Sequence, residues 1–131
     1  MLGRPSRSFP ARALLLAGIL AASGCTSGTQ VCPAILSTAL SVRVTDARTG
    51  AFIASGATLK FRFGAYQGAG DLFVTTEAPD ASPLIVMGSA GTYDILVEKP
   101  DYAPLSQRVV VPSDGCGPVA VNLTAKLAPL Q

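Results

Sequence analysis

The chain has 131 residues, ten basic against eight acidic side chains, and neither histidine nor tryptophan. Without histidine there is no Ser-His-Asp or Cys-His machinery and no imidazole-bearing zinc site. The basic residues are scattered, so the chain lacks the electrostatic footprint of a nucleic-acid binder.

Residues 1–24 read as an export signal. Arg4, Arg7 and Arg12 make a positive start free of acids, Ala13 to Ala22 is an apolar run, and Ser23-Gly24 leads into Cys25. The run is about half of the ~20 residues a spanning helix needs. Three of the ten basic residues fall in this segment, so residues 25–131 set seven bases against eight acids, a net charge of −1. What remains is one domain's worth of chain.

The stretch Leu20-Ala21-Ala22-Ser23-Gly24-Cys25 resembles the lipobox of bacterial lipoproteins, with Ala22 where that family most often has Leu. The resemblance implies that Cys25 Sγ carries a thioether-linked diacylglycerol and becomes the new N-terminus. Two or three acyl chains would hold the protein on a membrane, at about 0.8 kcal/mol for each buried CH₂. Thr26 stands where the family places its inner-membrane retention Asp. This implies a cell-envelope location, on the outer membrane if the cell has one. The alternatives are ordinary cleavage near Ala22 or Gly24, which leaves Cys25 a plain thiol, and a retained anchor. Residues 25–37 then form a short tether. With Cys25 assigned to lipid, Cys32 and Cys116 are an even pair that allows one bridge.

Along the body the hydrophobic period is two, never 3.6. Leu40, Val42 and Val44 mark a first strand, and Asp46 to Gly50 a turn. Leu59, Phe61 and Phe63 mark a second. Gly64, Gly68 and Gly70 predict a loop, followed by a third strand from Leu72 to Thr76. Pro79 and Pro83 bracket another loop. Leu84 to Met87 is a short apolar strand, Gly91 to Lys99 a fifth with Tyr93, Ile95 and Val97 inward, Leu105 to Val111 a sixth, and Val119 to Leu127 the last. Seven short strands with turn chemistry between them predict an all-β, two-sheet sandwich.

Ser41-Val42-Arg43-Val44-Thr45-Asp46-Ala47-Arg48-Thr49-Gly50, with Ile53 and Ala57, resembles the opening of carboxypeptidase regulatory-like domains. Gly91-Thr92-Tyr93 and Lys99-Pro100-Asp101-Tyr102 are similar to that group's later strand and corner, and Cys116 to the cysteine many bacterial members carry before the last strand. The resemblance covers residues 38–128. It implies a transthyretin-like, seven-stranded Greek-key sandwich with a non-catalytic accessory or binding role. Asp101 stands where the group usually has Gly.

Catalysis finds little footing. Lys60, Lys99 and Lys126 sit at solvent-facing or terminal strand positions, away from any Ser-Lys arrangement. Asp94 and Glu98 share a strand face, but a rise of about 3.3 Å per residue separates their Cα atoms by roughly 13 Å. Carboxyl pairs in glycosidases work at about 5–9.5 Å. A solvated face paired with Lys126 or Arg43 is the expected arrangement. Asp71, Glu77 and Asp80 lack the spacing of a calcium loop and read as polar loop residues. No metal or cofactor is implied.

Ligand contact, if there is any, falls to Tyr66 in a Gly-flanked loop and Tyr102 in a Pro-flanked corner. Tyr102 is also expected to pack or to bond the backbone there, as corner tyrosines do. Two functions stand. One is an accessory module for an envelope protein partner, with Leu84 to Met87 suited to strand addition if it lies at an edge. The other is a lipoprotein that binds a glycan or peptide through the loops around Tyr66 and Tyr102.

Overall fold

The computed structural model describes residue 3 and residues 31–33, 35–73 and 77–131. Cys25 and its lipobox lie outside the described residues. Seven strands and one three-residue 3₁₀ turn make up the fold: β1 Thr38–Asp46, β2 Thr58–Phe63, β3 Tyr66–Leu72, the turn Pro79–Ala81, β4 Leu84–Met87, β5 Gly91–Glu98, β6 Leu105–Val111 and β7 Val121–Leu127. They join in a single mixed sheet of order β6-β5-β2-β3-β4-β1-β7 that curls nearly into a barrel. All neighbours are antiparallel except β1 and β7, which run parallel from Leu40↔Val121 to Asp46↔Leu127.

The alternation read from sequence sets which side chains point inward. Leu40, Val42, Val44, Leu59, Leu84, Val86, Tyr93, Val97, Val111 and Leu127 are all but completely buried inside the curl. Each such side chain contributes about 1.5–3 kcal/mol through burial. Phe61 and Tyr93 pack with ring centroids 5.7 Å apart, and the half-buried Phe63 lies 4.7 Å from Tyr93. The Tyr93 hydroxyl donates to the Ser89 carbonyl at 2.7 Å, so the polar end of this core ring is satisfied.

One strand boundary expected from the sequence fails, for a physical reason. The predicted loop over Gly64 to Gly70 is largely strand β3, which pairs with β2 through Phe61↔Gly68 and Leu59↔Gly70. Gly64, with φ +57°, does mark the β2–β3 turn, but Gly68 and Gly70 are space for large cross-strand neighbours rather than turn punctuation. A Cβ on Gly68 would lie 2.7 Å from Phe61 Cζ, and one on Gly70 3.1 Å from Leu59 Cδ2. β3 ends at Leu72, and residues 74–76 of the predicted third strand lie outside the described residues. The condition set for strand addition at Leu84 to Met87 is not met, because β4 lies between β3 and β1, with partners on both sides.

The edges are β6 and β7, which meet only at their ends. At one end Ala103 N–H donates to Ala128 O and Leu130 N–H to Asp101 O, flanking the pair Tyr102↔Pro129. At the other, Val119 N–H donates to Pro112 O and Asp114 N–H to Gly117 O, flanking Ser113↔Pro118. Tyr102 and Ser113 are eleven residues apart, an odd number. Equivalent pairs in an antiparallel ladder recur every two residues. The two closures are therefore one residue out of phase, and no regular ladder can zip β6 to β7 between them.

Cys32, in the segment ahead of β1, is bonded to Cys116 in the β6–β7 connection, with Cα atoms 5.0 Å apart and 84 positions of separation. The bond staples the chain entering the fold to the end of the barrel where β1 and β7 begin. Loop closure of that length contributes about 4–5 kcal/mol in the chain-entropy account. Replacing Cys32 and Cys116 together by serine is expected to lower the urea-unfolding free energy by about that amount without changing the far-ultraviolet β spectrum. A loss below about 1 kcal/mol would show that the bridge does not constrain the unfolded chain.

Candidate functional site

The chemistry-bearing residues lie at two opposite ends of the barrel. Register fixes the assignment, since Thr38↔Met87, Gly91↔Val111 and Leu40↔Val121 place the start of β1 beside the ends of β4 and β6 and the starts of β5 and β7. The Cys32–Cys116 bridge sits at this end, and so does the β2–β3 hairpin carrying Tyr66. The β5–β6 turn carrying Tyr102 is at the other end, beside the turn that follows β1. One ligand therefore cannot contact both tyrosines. Tyr66 is mostly exposed and lies tilted beside Phe61 at a 5.9 Å centroid distance.

At the Tyr102 end, Lys99-Pro100-Asp101-Tyr102 forms a turn closed by Tyr102 N–H donating to Lys99 O at 3.1 Å. Pro at the second position and positive φ at the third match a type II turn. Asp101 has φ +68°, the only positive value at a non-glycine among the described residues. This is the left-handed region that glycine enters freely and Asp tolerates better than most.

The turn aims Tyr102 at Asp46, the last residue of β1. The Tyr102 ring packs half-buried against the core, and its hydroxyl donates to Asp46 Oδ2 at 2.9 Å rather than to a backbone carbonyl. Asp46 Oδ1 accepts from the N–H groups of Arg48 at 2.7 Å and Thr49 at 3.0 Å, which folds the chain back after β1. These two backbone donors, then the Tyr102 hydroxyl, hold the Asp46 carboxyl below its usual range. Tyr102 moves the other way. Its bond to the carboxylate, followed by burial and the negative charge, raises its phenol above the usual value.

Beside Tyr102 is an open hollow of about 480 Å³ lined by Gly56, Thr58, Glu98, Lys99, Pro100 and Pro104. Lys99 Nζ donates to Ser55 O, and Ser55 N–H donates to Asp80 Oδ1 at 3.1 Å, so three connections at this end are tied together. Asp80 thus serves as a loop acceptor. Among the described residues no group of three or more Cys, Asp or Glu is arranged to hold a metal ion.

Asp94 and Glu98 do not work as a pair. Asp94 meets Arg108 across β5 and β6, with Nε to Oδ1 at 2.8 Å, and Glu98 meets Lys60 at 3.7 Å. The hydrogen bond from Arg108 lowers the Asp94 carboxyl and raises the guanidinium. The expected partners Lys126 and Arg43 are instead on β7 and β1, in the other half of the sheet. Sequence reasoning missed the Asp46–Tyr102 contact. The only available cue was that both residues stand at turns.

Compared with known proteins, the chain matches no family model and no curated protein.

The contact between Asp46 and Tyr102 carries a pH signature at each extreme. A depressed carboxyl contributes stability that is present above its unfolded value of about 3.9 and is lost as pH falls through the folded value. A raised phenol contributes stability that is present below its unfolded value of about 10 and is lost as pH rises through the folded one. Asp46→Asn is expected to flatten part of the acid limb of stability against pH, and Tyr102→Phe part of the alkaline limb. Tyr93, whose phenol burial also raises, acts on the same limb, as Asp94 does on the acid one. Chemical denaturation between pH 2 and pH 11 (roughly the span over which these groups titrate) checks both. Identical curves for wild type and variants would rule the contact out as a titrating element.

Proposed function

We propose that this chain is a lipid-anchored envelope protein: a non-catalytic accessory module for another envelope protein, held at a membrane through Cys25. In this reading the body is a transthyretin-like Greek-key sandwich of the carboxypeptidase regulatory-like kind. Residues 1–24 are removed, and the location is the outer membrane where the cell has one. The observation that carries the reading is the Cys32–Cys116 bond. Such bonds persist in oxidising compartments outside the cytosol, where a lipobox signal would deliver the chain. Positive φ at Asp101 also supports the family reading, because it falls where that group uses glycine.

Partner recognition by strand addition belongs to β6 and β7, the two edge strands, rather than to β4. β6 exposes Val110 on its outer face and has no proline between Leu105 and Val111. Edge strands of this kind offer unpaired backbone groups to another chain. A second reading, binding of a glycan or short peptide, is favoured by the hollow beside Tyr102, where Pro100, Pro104, Glu98 and Lys99 combine apolar walls with both charges. Tyr66 would belong to a separate contact.

Intact-mass measurement of the protein extracted from membranes is expected to show an N-terminus at Cys25 carrying acyl chains. A mass that begins at residue 25 without lipid would overturn the anchor. Titration with peptidoglycan fragments, followed by amide NMR, separates the two readings. Saturating shifts around Lys99–Pro104 would support the ligand reading, and unchanged spectra would support the accessory module.

A further inference from the structure

We infer that the disulfide end of the barrel is itself a membrane-docking surface, which lays Val31, Ile35 and Leu36 on the bilayer interface. The inference rests on the anchor at Cys25 proposed above. Val31, Ile35 and Leu36 are 88%, 70% and 83% exposed, although they flank the bridge that fixes this segment to the barrel. Ile35 and Leu36 lie in one hollow with Ser37, Gly88, Ser89 and Cys116. The segment is held from below by Gly88 N–H donating to Ser37 O at 3.0 Å, which leaves its apolar side chains facing outward.

Charge separates this end from the other. Across residues 26–37, 88–90 and 112–120 the sole charged side chain is Asp114. Its Oδ1 is already occupied by the N–H groups of Cys116 and Gly117, at 2.9 and 3.1 Å. The opposite end also exposes Phe52, Phe73 and Leu130, but sets them among Arg48, Glu77, Asp80, Lys99 and Asp101. Only the disulfide end could approach lipid without stripping water from several charges, a costly step near hydrocarbon.

Covalent geometry supplies the occupant. From Cys25 to Cys32 the chain spans at most about 25 Å even when fully extended. An acylated Cys25 therefore keeps the bridge within that distance of the headgroups and presents this end first. Docking is shallow. Unpaired backbone groups are not tolerated in the hydrocarbon core, whereas apolar side chains settle about 5–10 Å into the headgroup and acyl boundary. The Tyr102 hollow then faces away from the membrane.

The chain has no Trp, so Leu36→Trp and Leu130→Trp each give a single fluorophore at an exposed site, one at either end of the barrel. Both full-length proteins, after intact-mass confirmation of acylation, would be placed in vesicles of phosphatidylethanolamine and phosphatidylglycerol. For Leu36→Trp we expect a blue-shifted emission and about twofold quenching by lipids brominated near the glycerol end, the depth reached by interfacial side chains. Leu130→Trp, at the opposite end beside Asp101, should stay unshifted and unquenched. Equal behaviour of the two in acylated protein would overturn the docking surface and leave the anchor standing. Unacylated protein would overturn both. A blue shift that grows with protein density at fixed lipid, without bromine quenching, would assign the face to a second copy and also overturn the proposal.

Discussion

The parallel ladder between the first and last strands is the constraint on which the other features depend. β1 is flanked by β4 and β7, and seven residue pairs from Leu40↔Val121 to Asp46↔Leu127 join the two ends of the domain. A parallel neighbour cannot be reached by a tight turn. The chain must complete the whole circuit of the curled sheet before β7 can be laid down. That circuit carries Cys116 back to Cys32 and the segment around Tyr102 back to Asp46. Contacts of such separation must overcome loop-closure entropy before they stabilise anything. One covalent bond and one buried carboxylate contact secure the ladder at its opposite ends.

Those ends differ in chemistry because different parts of the chain furnish them. At the disulfide end are the segment before β1, the β2–β3 and β4–β5 connections and the stretch from Pro112 to Ala120, which are small, apolar or uncharged apart from Asp114. The opposite end has the turn after β1, the 3₁₀ segment and the β5–β6 corner, cross-linked by Asp46, Asp80 and Lys99. A polar end with satisfied acceptors and a bare apolar end give the barrel a direction. On the proposed anchor, that direction runs from membrane to solvent.

Where β strands alternate cleanly, the sequence was readable. β2 and β5 are correctly bounded to within a residue or two, because Leu59-Phe61-Phe63 and Tyr93-Ile95-Val97 have one face for the core and one for water. β3 was not readable. Gly68 and Gly70 carry no hydrophobic signal, and the apolar surface over them belongs to Phe61 and Leu59 on the next strand. The central place of β4 was equally hidden. Its run of Leu84 to Met87 reads the same at an edge or in the interior, since periodicity reports burial and not the identity of neighbours. The tyrosines show the same limit: Gly-flanked Tyr66 is exposed and Tyr102 packs at its corner, as local chemistry suggests, but their separation to opposite ends could not be read.

Local chemistry alone determined the strand character, the turn after Asp46, the corner at Pro100-Asp101 and the even pair of cysteines in the body. Each depends on residues within a few positions, or on a count. Tertiary structure decided which strands became edges and which partner Asp46 took. It also decided that β6 and β7 meet at both ends without zipping between. Those outcomes depend on register summed around a closed circuit, and a one-residue phase difference at the far side cannot be seen in any stretch of sequence.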